Sequence, residues 1–226
     1  MKNTISNKSD AFYKTIIMDA CPFTRLGLMR ILQSSLISAE IHECDNSEAI
    51  TPLTFNGKID YILMDICGKN ESVLQGIRHI QRIKNTWPGI PLIICTSFQN
   101  INVMLRLIKI GVSAICCKGD LPIALEKCIS SARVGRCYLS PAIEALVNTR
   151  STRPAGVRHW LTPKEMDVLE ELFEGHTVTD ISSILYRDVR TVSTHKQNAM
   201  EKFGFKNDYQ MYIEGNWLFP DSVCYQ

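Results

Sequence analysis

The sequence predicts an α/β chain: a doubly wound, five-stranded parallel sheet followed by a small all-α helix-turn-helix domain. Three observations lead there. Short apolar runs alternate with segments of helical period up to about Arg136, the pattern then decays into a Thr-, Arg-, Pro- and Gly-rich stretch, and from Trp160 onward helical period returns without any strand pattern. Alternation of this kind belongs to strand-helix-strand units, and the composition change marks a linker. The division is therefore a first domain over 1–145, a linker over 146–158 and a second domain over 159–226.

The strands come first. KTIIMD (14–19), AEIHEC (39–44), DYILMDIC (60–67), IPLIICTS (90–97) and VSAICCK (112–118) are short, apolar or β-branched, and bounded by polar or turn residues, as strands buried on both faces are. Helices are predicted between and after them over 23–36, 46–55, 72–86, 100–110 and 121–134. In the third, Val73, Ile77, Ile80 and Ile83 form one apolar stripe. Function in such sheets gathers at the carboxyl ends of the strands. The segment 140–159 begins as a short helix before its composition decays.

In the second domain Thr162-Pro163-Lys164-Glu165 sets a cap, a proline at the first helical position and a glutamate at the third, starting a helix that ends near Gly175. A second helix runs over 178–185 with Thr177 as its cap, then the turn Arg187-Asp188-Val189, then a third helix over 190–203 closed by Gly204. A fourth covers 207–215. Helix, short turn and helix at this spacing is a helix-turn-helix.

Composition supports a packed chain: 226 residues at 45% hydrophobic and 21% charged can bury a core. The net charge of +2 names no partner, but it conceals a dipole. Over 162–180 one base, Lys164, stands against six acids, a net of −5; over 187–206 five bases stand against Asp188 and Glu201, a net of +3. A helix that approaches DNA needs that local positive field. The polar run Ser193, Thr194, Lys196, Gln197 and Asn198 offers hydroxyl, amide and amine groups suited to base edges and phosphates. Whole-domain charge points the other way, because 1–145 carries +4 and 146–226 carries −2.

Nine cysteines at irregular spacing include no C-x-x-C and no zinc-finger pattern, and most lie in apolar runs, which reads as reduced thiols in a cytoplasmic protein. Cys116 and Cys117 are adjacent on a strand and so point to opposite faces. The start, MKNTISNKSD, has no apolar signal core, and no run reaches membrane-spanning length. His42, His79, His159, His176 and His195 form no metal-ligand or nucleophile motif, and no glycine-rich phosphate loop follows a strand. No enzyme, metal or small-molecule substrate is expected.

The stretch 161–208 resembles the DNA-binding domain of the LuxR/FixJ transcriptional regulators through Leu161-Thr162-Pro163, Glu165, Val168-Leu169, Gly175, Ile181, Leu185, Thr191-Val192, His195, Lys202 and Gly204. The resemblance implies promoter DNA as partner and the third helix in the major groove. Ser193, Thr194 and Gln197 would face bases, and Arg190, Thr191, Lys196 and Lys202 would face phosphates. Val192, Ala199, Met200 and Phe203 would pack inward.

The first domain resembles the receiver domain of response regulators. That places Asp65 as the phosphoacceptor at the end of the third strand, with Thr96 and Lys118 as the phosphate-binding hydroxyl and amine. The sequence departs from the family in three places. Asp19-Ala20 stands where the family has two acids to hold Mg2+, no proline follows Asp65 in Ile66-Cys67-Gly68-Lys69, and Ile115 occupies a switch-aromatic position. The pocket of Asp19, Asp65, Thr96 and Lys118 therefore reads as vestigial, with no cofactor; Mg2+ enters only if Asp65 is phosphorylated as in an orthodox response regulator, the alternative reading. The segment 15–28 is similar to the opening of the RcsA/BglJ auxiliary regulators, which implies a phosphorylation-independent regulator that pairs with itself or with an RcsB-like response regulator.

Overall fold

The computed structural model describes residues 13–35, 39–55, 58–149 and 160–215. The first domain runs β1 (Tyr13–Met18), α1 (Pro22–Ser35), β2 (Ala39–Cys44), α2 (Ile50–Phe55), β3 (Tyr61–Met64), α3 (Val73–Thr86), β4 (Leu92–Thr96), α4 (Ile101–Ile110), β5 (Ala114–Cys117), a 3-10 turn (Lys118–Asp120), α5 (Ile123–Arg133), β6 (Tyr138–Leu139) and α6 (Pro141–Asn148). All strands are parallel, in the order β2-β1-β3-β4-β5-β6. The sheet thus has six strands, not five. β6 is two residues paired with Ala114 and Ile115, too short to show a period. α6 also carries past residue 145, the boundary drawn from composition; the linker beyond it lies almost wholly outside the described residues.

Period-two alternation builds two cores. Ile16, Met18, Ile62 and Met64 face α3 and α4 through Ile77, Ile80, Val103 and Leu107, while Ile17, Leu63, Ile93 and Cys95 face α1 and α5 through Leu28, Leu125 and Cys128. Cys116 and Cys117 fall in opposite cores, and every described cysteine is free. α2 begins later than its sequence pattern suggests. The Ser47 backbone N–H and hydroxyl both donate to Glu71 Oε1 (2.7 and 2.8 Å), which fixes that residue outside the helix. Chain order reverses between β1 and β3, so the carboxyl ends of these two strands flank the switch point of the sheet.

The second domain consists of α7 (Pro163–Phe173), α8 (Val178–Ile184), α9 (Val189–Phe203) and α10 (Asp208–Glu214). Thr162 with Glu165 and Thr177 with Asp180 form reciprocal capping boxes. α9 starts one residue before the sequence-based boundary because Asp188 caps it, accepting from Arg190 N at 2.8 Å, and Gly204 closes it at φ 82. Val168, Leu169, Leu172, Ile181, Val192, Ala199 and Met211 make the core.

α3 joins the two domains. Leu74 is fully buried in the core of the second domain, and one turn on, Arg78 reaches Glu170 Oε2 (3.0 Å) and Asp167 Oδ1 (2.6 Å) on α7. The acidic helix is therefore turned toward the first domain. Among the described residues no helix is long and apolar enough to cross a membrane.

Candidate nucleic-acid interface and acidic pocket

Two places carry chemistry: the outer face of α9 and the carboxyl edge of the sheet. α9 spends Val192, Ala199 and Met200 on the core, which turns Arg190, Ser193, Thr194 and Gln197 outward as one exposed stripe at three- and four-residue steps. Thr191 and Asn198 are exposed beside it, and His195 is half-buried. Thr194 Oγ donates to Arg190 O (2.9 Å), while Gln197 Nε2 donates to Glu201 Oε1 (3.1 Å).

The two lysines of the motif behave differently from the expectation. Lys196 Nζ pairs with Asp208 Oδ2 at 2.6 Å, tying α9 to the start of α10. Lys202, expected to face a phosphate, is paired within the chain instead: its ammonium lies 2.6 Å from Glu165 Oε2 and donates to Trp160 O at 3.4 Å. The reason is Glu165, a carboxylate only 3% exposed on an otherwise apolar helix face, which needs a cation. Burial disfavours the Glu165 charge, but Lys202 and the Thr162 N–H hold its carboxyl below the usual range. An acid inside the stripe of Met166, Val168 and Leu169 was the sequence signal for this pair. Lys202→Ala is accordingly expected to cost about 1–2 kcal/mol of domain stability in urea unfolding. It should leave the salt dependence of DNA binding unchanged, where loss of a phosphate contact would lower that slope by about one.

The turn between α8 and α9 holds a residue that sequence reasoning passed over. Tyr186 adopts φ 51, in the left-handed region, and its neighbours close the turn through Tyr186 N to Ser183 O (3.3 Å) and Arg187 N to Ser182 O (2.9 Å). For a residue with a Cβ this conformation costs about 1–2 kcal/mol. The other described non-glycine residue at positive φ is Asn70, a type that tolerates it.

At the sheet edge, Asp19 follows β1, Asp65 follows β3, Thr96 ends β4 and Lys118 follows β5, so the structure brings together all four predicted pocket residues. Lys118 Nζ stands 2.6 Å from Asp19 Oδ2 and 2.6 Å from Asp65 Oδ2. The remaining oxygens are engaged as well: Asp19 Oδ1 accepts from Cys21 N (2.8 Å) and Asp65 Oδ1 from Ile66 N (2.6 Å). Burial pushes the Asp65 carboxyl above the usual carboxylate range, against the opposing pull of Lys118 and Thr96. Burial also works against the Lys118 charge, yet the two aspartates hold it above the ordinary lysine range. Ala20 adds no oxygen.

Behind the pocket Glu71 acts as a clamp. One oxygen accepts from Ser47 and the other from Gly68 N (2.8 Å), and the Ser47 hydroxyl also meets His79 Nδ1, so the loops after β2 and β3 are locked together. Elsewhere Glu171, Glu174 and His176 bring ligand atoms within 4.8 Å of one another on the surface, with His176 Nδ1 already 2.9 Å from Glu171.

Comparison with known proteins finds a family match in each domain. Residues 15–129 match the response regulator receiver domain and residues 159–214 match the luxR family of bacterial regulatory proteins. The transcriptional regulatory protein RcsB of Escherichia coli K12 is 26% identical over 207 residues, covering 91% of this chain and 95% of that protein. The response regulator protein VraR of Staphylococcus aureus is 22% identical over 200 residues, 88% of this chain and 94% of its own. RcsB from Salmonella enterica serovar Typhimurium, bound to promoter rprA in the presence of the phosphomimetic BeF3-, superposes with a TM-score of 0.66 at 25% identity, covering 94% of this chain and all of that one.

Proposed function

The chain belongs to the response regulator receiver family and carries a luxR-family helix-turn-helix domain behind its receiver, and from that premise we propose that it is a transcription regulator that binds promoter DNA without being switched by phosphorylation. The observation that carries this reading is the position of Lys118, whose single ammonium bridges both carboxylates of the pocket at 2.6 Å. Mg2+ demands several oxygen ligands in near-octahedral geometry. Two aspartates, with one oxygen of each held by a backbone N–H and the other facing the Lys118 ammonium, beside an alanine, are a poor donor set for it. The resting state also needs no release, because α7 rather than α9 docks on the receiver and the outward stripe of α9 is exposed. Incubating the purified chain with a small phosphodonor and Mg2+ tests the reading. Asp65 should remain essentially unlabelled; stoichiometric labelling would overturn it in favour of an orthodox response regulator.

On DNA, Arg190 and Thr191 hold phosphates while Ser193, Thr194 and Gln197 read base edges, and Lys196 joins the phosphate set once it exchanges Asp208 for DNA. Arg190→Ala is expected to weaken binding to all sequences alike and to lower the salt slope by about one, whereas Gln197→Ala changes which sequence is preferred. Binding titrations at several salt concentrations, followed by selection from a random-sequence pool, check both. RcsB relatives have been solved as dimers on DNA. Taken with the RcsA/BglJ-like segment 15–28, this supports pairing with an RcsB-like response regulator or with a second copy. Affinity capture from the native host, with and without operator DNA, identifies which.

A further inference from the structure

Tyr186 is the most exposed large hydrophobic residue of the described chain, at 95%, and it is one of the two described non-glycine residues with positive φ. Each fact alone is unremarkable, but together they conflict. A left-handed residue is normally glycine or asparagine, and a bulky aromatic there is retained only where something repays the strain. Packing within the chain does not, since the ring is almost wholly in solvent. The position supplies the missing partner. Tyr186 lies three residues before α9, beside Arg187 and Arg190, at the end of that helix which enters the groove in a helix-turn-helix complex. Asp188 is committed to capping α9.

We infer that Tyr186 is a DNA-positioning residue: its phenol hydroxyl donates to a phosphate oxygen at the edge of the site read by α9, and its ring lies along the adjoining deoxyribose. Tyrosine hydroxyls are among the groups that fix register on the phosphate backbone without carrying sequence information. The left-handed backbone is then what aims the ring outward from a turn whose neighbouring residues face the helix pair. This role rests on the DNA-binding reading above.

The test uses the full chain and duplexes selected with the wild-type protein from a random-sequence pool. Tyr186→Asn removes the ring and suits the left-handed backbone, so its thermal midpoint should rise by about 4 °C or more while affinity falls about tenfold for every duplex, with the preferred sequence unchanged. Tyr186→Phe should keep the wild-type midpoint and lose about threefold, isolating the hydroxyl. If Tyr186→Asn binds as tightly as wild type while Arg190→Ala binds more weakly, the role of Tyr186 falls and the DNA-binding reading stands. If the wild-type chain selects no duplex, alone or mixed with the partner captured from its host, both fall. A change in preferred sequence for Tyr186→Asn would also overturn a backbone role.

Discussion

Lys118→Ala is expected to destabilise the receiver domain by about 3–5 kcal/mol at neutral pH, because it strips the one cation from two buried carboxylates. The Asp19 and Asp65 side chains are only 3% and 19% exposed, and both oxygens that face Lys118 lie 2.6 Å from the same nitrogen. Without the ammonium they face each other, and one must hold a proton in the folded state. Its folded pKa then lies above the unfolded carboxyl value of about 4. Where the native state binds more protons than the unfolded chain, stability rises as pH falls. The variant should therefore be weakest at neutral and alkaline pH and recover progressively on acidification toward about pH 4. Adding Asp65→Asn, which removes one of the opposed charges, should restore part of the loss at pH 7.5. Urea unfolding at pH 7.5 and pH 5 measures all of this; a Lys118→Ala chain as stable as wild type at pH 7.5 would mean that the pocket is open to water and its charges uncoupled.

Gly76→Ala should be at least as damaging. In an exposed helix interior, replacing glycine by alanine stabilises by about 1 kcal/mol. Here the sign reverses, because a Cβ on Gly76 would overlap the Ile66 carbonyl oxygen and lie 2.8 Å from its carbon, both backbone atoms that no rotamer change can move. α3 would have to lift from the end of β3, at a cost of about 3 kcal/mol or more. The consequence reaches both sites. Ile66 N–H is the donor that holds Asp65 Oδ1, and Leu74 and Arg78 on the same helix carry the second domain. Gly27→Ala in α1, with nothing within 4 Å of the added carbon, is the matched control and should be neutral or slightly stabilising. Denaturation of the two variants side by side checks the contrast.

Much of this molecule is legible along the chain because its signals are local. Five of the strands announce themselves as short apolar or β-branched runs, Thr162 and Thr177 begin their helices with the reciprocal caps that their spacing implies, and the stripe of Val73, Ile77, Ile80 and Ile83 is buried as its period requires. The four pocket residues could be found as well, since strand ends converge in a parallel sheet. What the chain hides is pairing across distance. Lys202 sits in a basic run and looks available to DNA, but Glu165, 37 residues away, claims it. Arg78 meets Glu170 and Asp167 across 92 and 89 residues, with no periodic pattern to announce it. Two paired residues are too few to mark β6, and nothing in Leu185-Tyr186-Arg187 marks a left-handed backbone, since tyrosine is a residue that ordinarily avoids one.

The measurement that bears most directly on the account is the genomic occupancy of Asp65→Ala compared with wild type, each expressed at its normal level in the native host and recovered by crosslinking to DNA. A regulator whose pocket is filled by its own lysine should occupy the same sites to nearly the same extent when Asp65 is gone, because Lys118 keeps its pair with Asp19 and the α9 stripe is unaltered. Loss of occupancy from a folded Asp65→Ala chain would contradict that account and make phosphorylation of Asp65 the switch.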